Sequence, residues 1–125
     1  MGERILILDD EPDFAAFAEA ALAKVGHELR VITEAAKVPT AIAEFEPSVF
    51  VLDIVMPGLD GIEIIDWLSK TSFSGRVILV SGYDPNYITV TSKLAELKGL
   101  ELAATLQKPV TPEALRNAVT GSAGA

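Results

Sequence analysis

The feature that most constrains the fold of this chain is an alternation of short apolar runs with segments of helical periodicity, repeated from end to end. An unbroken apolar run of about four to eight residues is typical of a strand buried on both faces. The first run, ILIL at 5–8, and the runs at 49–52 and 77–80 fit this pattern best. With two weaker runs included, we predict strands at 5–8, 29–33, 49–52, 77–80 and 102–106.

The segments between these runs have the spacing and the end signals of amphipathic helices. The first segment has apolar residues at helical spacing and ends before Gly26, and these residues are Phe14, Phe17, Ala18, Ala21, Leu22 and Val25. A glycine just past the last periodic residue is typical of a helix C-terminus. The other helices are predicted at 38–45, 62–68 (with Ile62, Ile65 and Leu68 facing inward), 88–97 and from 112 onwards, after a Thr111 N-cap.

Strands that alternate with helices pair in parallel, and right-handed crossovers then cover both faces of the sheet. We therefore predict a doubly wound α/β fold with a five-stranded parallel sheet and five helices. The chain has 125 residues, half of them hydrophobic, which is enough for one core. We expect one domain over residues 1–120 and a flexible tail over 121–125, where the sequence is Gly-Ser-Ala-Gly-Ala.

Ligands of doubly wound sheets lie at the carboxyl ends of the strands, so the residues directly after the apolar runs are the candidate site residues. They are Asp9, Asp10, Glu11, Asp53, Ser81 and Lys108. Carboxylates gathered at one sheet edge repel each other, and a hard divalent cation with oxygen ligands removes that repulsion. The chain has no cysteine and one histidine, which disfavours zinc and excludes disulfides. We therefore predict a Mg²⁺ site.

A lysine and a hydroxyl complete this predicted site. Lys108 supplies a mobile positive charge and Ser81 a hydroxyl donor, both directed at an anion beside the metal. A carboxylate surrounded by a metal, a lysine and a hydroxyl suits phosphoryl transfer, in which catalysis is mostly positioning and charge neutralisation. Asp53 is then the natural nucleophile, because an aspartyl phosphate can store a transferred phosphoryl group.

Four motifs on these elements resemble those of the receiver domains of bacterial two-component response regulators. They are LDDEP at 8–12, VLDIVMPGLDG at 51–61, VSG at 80–82 and QKP at 107–109. The resemblance implies a flavodoxin-like sheet with strand order 2-1-3-4-5. It implies that Asp53 is the phosphoacceptor and that Asp10, Asp53 and the backbone carbonyl of Val55 bind Mg²⁺. Asp9 is implied to act mainly through water bound to the metal.

The resemblance also implies the reaction partners. Ser81 and Lys108 would hold the phosphoryl oxygens, and the bond from Lys108 to Pro109 would be cis, which X–Pro bonds permit. A histidine kinase or a phosphotransfer protein would supply the phosphoryl group, and an output domain or partner protein would read the switch. A receiver domain of this kind catalyses only its own phosphorylation and dephosphorylation, so we do not expect another enzyme activity.

The net charge and the hydropathy of the chain indicate which partners and which cellular environment to expect. The formal net charge is −8, which argues against direct contact with nucleic acid or an anionic membrane surface. A basic protein surface would complement this charge. A homodimer is a further possible assembly. The apolar runs are too short to cross a bilayer and the N-terminus lacks the apolar core of a secretory signal, so we expect a cytoplasmic protein.

Each candidate residue also has an alternative interpretation as a structural residue. Asp10 or Glu11 suits the N-cap of the first helix. Asp53 before a loop, and Ser81 before a glycine, suit ordinary turns. The four motifs together favour the site over these alternatives.

Several other residues are assigned no chemistry. We predict that Phe14, Phe17 and Trp67 belong to the core, because they lie at helical spacing, and that His27 lies on the surface. Receivers usually carry an aromatic residue three positions before the lysine, where this chain has Thr105. The usual aromatic readout of phosphorylation is therefore in question.

Two residues are predicted to control hydrolysis of the phosphorylated state. Val55 and Tyr83, two positions past Asp53 and Ser81, are best placed to crowd the approach of water to the phosphorus. Neither carries a carboxylate or an amide that could orient that water. We therefore expect the phosphorylated state to persist longer than in receivers with small or amide-bearing residues at these positions. The alternative is that Tyr83 points to solvent and only packs on the following helix.

Two other functional classes remain as alternatives. A pseudo-receiver that never takes phosphate would work as a binding or dimerisation module, and it would be expected to lack Asp10, Asp53 or Lys108, all of which are present. A Mg²⁺-dependent phosphatase with an aspartate nucleophile would carry a second aspartate two positions after the first, where this chain has Val55. Multiple turnover of an external phosphate ester would distinguish the phosphatase.

Overall fold

The computed structural model describes residues 2–23, 26–56, 61–71, 73–82 and 85–121. Strands and helices alternate through these residues as the sequence predicts. The strands are β1 (Arg4–Leu8), β2 (Glu28–Ile32), β3 (Val49–Asp53), β4 (Arg76–Ser81) and β5 (Glu101–Gln107). The helices are α1 (Pro12–Ala23), α2 (Val38–Phe45), α3 (Gly61–Ser69), α4 (Pro85–Leu97) and α5 (Pro112–Thr120), and a single 3₁₀ turn (Ala35–Lys37) precedes α2.

The five strands form one parallel sheet in the order β2-β1-β3-β4-β5. This is the predicted doubly wound, flavodoxin-like arrangement, and the prediction is confirmed. Strands β1 and β3 are direct neighbours, with Leu8 paired to Leu52. The residues that follow Leu8 and Leu52 therefore leave the sheet side by side at its carboxyl edge.

The core lies in two layers, one on each face of the sheet. Alternate strand residues point to opposite faces. Helices α2, α3 and α4 cover one face, which includes Leu6, Phe50 and Leu79. Helices α1 and α5 cover the other face, which includes Ile7 and Val51. Because the last four residues of β1 and all five residues of β3 are buried, the strand ends that carry the site are held from both sides.

The ends of two helices follow from local sequence signals. The Thr111 hydroxyl oxygen accepts a hydrogen bond from the backbone N–H of Ala114 (3.1 Å), so Thr111 is the N-cap of α5 as predicted. Gly121 closes α5 in a left-handed conformation, with φ 78°. Helix α2 ends at Phe45, and its C-cap residue Glu46 also has a left-handed conformation (φ 51°) and is followed by Pro47.

The structure corrects two predictions about the helices and the loops and leaves a third untested. Ile62 was predicted to face the core but is exposed, because the inward positions of α3 are Gly61, Ile65 and Leu68. His27 was predicted to lie on the surface but is half-buried, and its Nδ1 accepts a hydrogen bond from the backbone N–H of Glu3 (2.8 Å). Helix α1 ends at Ala23, and the predicted inward position 25 lies outside the described residues.

Among the described residues, no helix combines the length and the apolar character needed to cross a bilayer.

Candidate functional site

Three aspartates meet at the carboxyl edge of the sheet. Asp9 follows β1, and Asp53 is the last residue of β3, so the pairing of these strands brings the two carboxyl groups together. Asp9 is fully buried and Asp53 nearly so, whereas Asp10 is exposed. Each of the three offers a carboxylate oxygen within 4.8 Å of the others. The structure thus unites the three aspartates that the strand ends predicted.

Backbone N–H groups orient the two buried carboxylates. Asp53 Oδ1 accepts a hydrogen bond from the N–H of Val55 (2.9 Å), and Asp9 Oδ1 accepts one from the N–H of Glu11 (2.8 Å). Asp53 therefore does take part in a turn, but with one oxygen only. Just before α1, the Glu11 N–H is bound by the carboxylate of Asp9.

Lys108 reaches into this cluster from the end of β5. Its Nζ lies 2.9 Å from Asp9 Oδ2 and 3.3 Å from Asp53 Oδ2, and it also contacts the carboxylate of Glu11. The same Nζ lies 4.7 Å from the centre of the Phe14 ring, within the range of a cation–π contact. The sequence predicted the position of Lys108 but assigned Phe14 to the core and gave Glu11 no part in binding the lysine.

The loop that carries Lys108 is fixed to the neighbouring strand. The backbone N–H of Lys108 donates to the carbonyl oxygen of Ser81 (2.8 Å), which joins the ends of β5 and β4. The bond between Lys108 and Pro109 is cis, as the resemblance implied. Ser81 itself is buried at the end of β4, next to β3, so it shares the sheet edge with Asp53.

Burial raises the pKa of Asp53 from its ordinary value of 3.8 to about 6. The Val55 N–H opposes this rise by stabilising the charged form, the charge of Asp9 adds to the rise, and Lys108 opposes it. A carboxyl group with a raised pKa in an aspartate cluster is typical of a functional site, where charge is concentrated at a cost to stability.

The pKa of Lys108 changes in the direction that keeps it charged. Burial alone lowers this pKa, but the hydrogen bonds to Glu11 and Asp9 and the charges of Asp53 and Asp9 outweigh that effect, so the pKa is raised above its ordinary value. Lys108 is therefore a permanent cation at the site.

The aspartates fit a small, hard divalent cation. Asp9 Oδ2 is buried and lies 2.9 Å from the Lys108 Nζ. Because a carboxylate oxygen has more than one lone pair, this oxygen can also serve a cation, and next to two more carboxylates it is suited to Mg²⁺, which prefers oxygen ligands.

An open cavity of about 750 Å³ lies above this cluster. Its polar wall includes Asp10, Glu11, Asp53 and Lys108. Its apolar wall is formed by Phe14 and Phe17 from α1, Val110 after β5, and Val55. The cavity therefore gives a substrate access to Asp53 and offers it an apolar border.

Two further residues from the sequence predictions are Tyr83 and Thr105. Tyr83 lies outside the described residues. Thr105 lies on β5 and is exposed, so the position that usually carries an aromatic residue faces away from the core here.

Comparisons with known proteins agree with the fold. A family model described as the response regulator receiver domain matches residues 5–120. The DNA-binding response regulator MtrA of Mycolicibacterium smegmatis is 32% identical over 117 residues, which cover 92% of this chain and 48% of that protein. The chain spans about half the length of the curated relatives it matches.

Solved structures give the same result for the fold. A signal receiver domain from Bermanella marisrubri is 26% identical, with a TM-score of 0.80, and the match covers 96% of this chain and 97% of that one. A CheY-like receiver domain protein from Methanospirillum hungatei is 24% identical, with a TM-score of 0.82 over 98% of this chain and 94% of that one, and supports the fold alone. Because the family model covers nearly the whole chain and the strand order agrees, this chain belongs to the response regulator receiver domain family.

Proposed function

We propose that this chain is a phosphorylation-dependent conformational switch that accepts a phosphoryl group on Asp53. The observation that carries the proposal is the position of the buried Asp53 carboxylate, clustered with Asp9 and Asp10 and 3.3 Å from the Lys108 Nζ. A nucleophilic carboxylate beside a fixed cation is what phosphoryl transfer requires.

In the proposed reaction, an Asp53 carboxylate oxygen attacks the phosphorus of the donor. A new O–P bond forms as the P–N bond of a phosphohistidine breaks, or the P–O bond of acetyl phosphate, and the leaving group takes the bonding electron pair. Lys108 and the Ser81 hydroxyl bind the phosphoryl oxygens and neutralise their charge, and the Val55 N–H keeps the Asp53 carboxyl group oriented.

We propose that Mg²⁺ binds at the aspartate cluster and shields the charge of the phosphoryl oxygens. Asp10, Asp53 and the backbone carbonyl of Val55 would hold the ion directly, and Asp9 would act mainly through bound water. The support for this assignment is the set of three aspartates whose carboxylate oxygens lie within 4.8 Å of one another.

The donor is proposed to be a protein, either a histidine kinase or a phosphotransfer protein. A phosphohistidine must approach Asp53 through the cavity, so the donor protein must contact the cavity border. Phe14, Phe17 and Val110 are half-buried there and offer an apolar contact next to the phosphoacceptor.

The output is proposed to pass to another domain or a partner protein in the cytoplasm. The net charge of −8 does not favour direct contact between this domain and nucleic acid. The relative from Mycolicibacterium smegmatis is named a DNA-binding response regulator, so DNA contact elsewhere in a longer protein is compatible with the proposal. A homodimer also remains an option.

Acetyl phosphate with Mg²⁺, followed by intact-mass measurement, tests the proposed function. We expect one phosphoryl adduct per chain, no adduct in Asp53→Asn, and no adduct when EDTA removes the metal. A folded wild-type chain without any adduct would favour the pseudo-receiver. Continuous release of phosphate from an external ester would instead favour the phosphatase, because a receiver takes up one group per chain.

A further inference from the structure

The three carboxylates that contact Lys108 do not belong to the same group. Asp9 and Asp53 are members of the aspartate cluster, at 2.9 Å and 3.3 Å from the Lys108 Nζ. Glu11 is not part of that cluster, yet its carboxylate is the nearest of the three to the Nζ. Lys108 is therefore shared between the phosphoacceptor and a residue at the border of the cavity.

The main chain of Glu11 is fixed on both sides. Its N–H donates to Asp9 Oδ1 (2.8 Å), and its carbonyl oxygen accepts from the N–H of Ala15 (3.2 Å) in the first turn of α1. The Glu11 side chain starts from this fixed point, is 60% exposed, and extends over the cavity to Lys108. A carboxylate anchored in this way can hold a lysine in one place.

The Phe14 ring strengthens this contact. The Lys108 Nζ lies 4.7 Å from the ring centre, and the lysine side chain is only 16% exposed. The ring keeps water away from one side of the ammonium group, so solvent screens the attraction to Glu11 less than it screens a fully exposed ion pair.

We propose that Glu11 is a positioning residue that holds Lys108 at the border of the site in the resting state. The Lys108 ammonium group has three N–H donors and contacts three carboxylates, so a phosphoryl oxygen on Asp53 must displace one of these contacts, and the contact with Glu11 is the one outside the aspartate cluster. Glu11 thereby sets how readily Lys108 takes part in the reaction. This inference rests on the proposed function of Asp53.

The matched variants are Glu11→Gln and Asp13→Asn. Glu11→Gln keeps the length of the side chain and removes its charge. Asp13 is exposed, lines the same cavity in the first turn of α1, and forms no ion pair within the described ranges of the chain. Asp13→Asn therefore removes one negative charge from the same border without removing a contact to Lys108.

The contact itself is measured without metal and without phosphorylation. An amine-specific acylating reagent is applied in metal-free buffer, and peptide mass analysis gives the rate of modification of Lys108. We expect Glu11→Gln to raise this rate about two- to fivefold, the equivalent of one partly exposed ion pair. Asp13→Asn should leave it close to that of the wild type. Equal rates in the two variants would overturn the inference.

The consequence for the reaction is measured with acetyl phosphate at saturating Mg²⁺. Glu11→Gln should become phosphorylated about two- to fivefold faster than Asp13→Asn, because Lys108 is released earlier. If Lys108 becomes more reactive and phosphorylation is not faster, Glu11 binds the lysine without controlling the reaction and the inference is wrong. If no chain takes up a phosphoryl group, the proposed function fails instead, and the labelling result still decides the resting contact.

Discussion

Asp53 is a residue at which the charge needed for function lowers the stability of the fold. It is 2% exposed and its pKa is raised to about 6, so folding places an unfavourable negative charge next to Asp9 at neutral pH. A shift of one pKa unit corresponds to about 1.4 kcal/mol between the two protonation states.

Asp53→Asn is therefore expected to stabilise the metal-free protein by about 1–3 kcal/mol at pH 7. The asparagine removes the charge and retains a carbonyl oxygen that can accept the Val55 N–H. Denaturant unfolding in EDTA measures the change, with Asp10→Asn as a control at an exposed member of the same cluster. A less stable Asp53→Asn would mean that the carboxylate is a structural residue of the turn.

The same stabilisation should depend on pH. The folded-state pKa of Asp53 lies above its ordinary value of 3.8, so folding favours the protonated carboxyl group. The wild type then loses stability relative to Asp53→Asn as the pH rises from about 4 through about 6. The unfolding free energies of the wild type and of Asp53→Asn should diverge progressively across this pH range. Above it, the difference between them should stay constant. A constant difference would exclude titration of Asp53 as the cause.

Asp10 provides the test of the metal site. It is the exposed member of the aspartate cluster, and Asp10→Asn should weaken Mg²⁺ binding about tenfold or more, because an amide is a poor substitute for a charged ligand. Titration calorimetry measures this, with Asp13→Asn as a control for loss of one nearby charge. Equal Mg²⁺ affinities in the two variants would remove Asp10 from the ligand set.

Val55 provides the test of how long the phosphorylated state lasts. It is half-buried, lines the cavity above Asp53, and has no group that could orient a water molecule. Val55→Asn should speed dephosphorylation by supplying an amide at that point. Val110→Asn adds the same amide after β5 and serves as the control. An unchanged rate of dephosphorylation in Val55→Asn would contradict the prediction that Val55 shields the phosphorus from water.

At the scale of elements, the N-terminus of α5 depends on one side chain. Thr111 caps the helix by accepting from Ala114 N–H, so Thr111→Ala should destabilise the protein by about 1 kcal/mol. Thr111→Ser keeps the hydroxyl group and should stay close to the wild type. Equilibrium unfolding of both variants distinguishes the loss of the cap from the loss of a methyl group.

Helix α4 is joined to its neighbour near its C-terminal end. Asp66 of α3 contacts Lys98, just past α4, at 2.7 Å and Lys70 at 3.0 Å, and these hydrogen bonds lower the pKa of Asp66. The other end of α4 follows Ser81 and Gly82, the strand end that carries the site. With Thr105 exposed on β5, we expect a phosphorylation signal to reach the surface mainly through this end of α4.

At the scale of the whole molecule, the sheet order explains why a site exists at all. Strands β1 and β3 are adjacent at the centre, and the crossovers run to opposite sides of them. Their carboxyl ends therefore border the open cavity, which is the usual place for a ligand in this kind of fold. The three aspartates lie there, and together with the net charge of −8 they favour a cation or a basic partner surface.

The order of the elements and the positions of most candidate site residues could be predicted from the sequence alone. Apolar runs and helical spacing are local properties, so the strands and the Thr111 cap could be predicted without any tertiary contact. The residues at the strand ends could be predicted in the same way, because a polar residue directly after a buried run must leave the sheet at its edge. This is why Asp9, Asp53 and Lys108 could be predicted from their neighbours in sequence.

The side chains that meet, and those that face the core, depend on tertiary packing and could not be predicted from the sequence. The contact between Glu11 and Lys108 joins residues 97 positions apart, and its geometry depends on how α1 and β5 pack against the sheet. His27 is held by the backbone of Glu3, 24 positions away, and Ile62 is exposed because α3 turns three other residues inward. Local periodicity cannot specify such contacts, because the rotation of a helix and the reach of a long side chain are set by packing between elements distant in sequence.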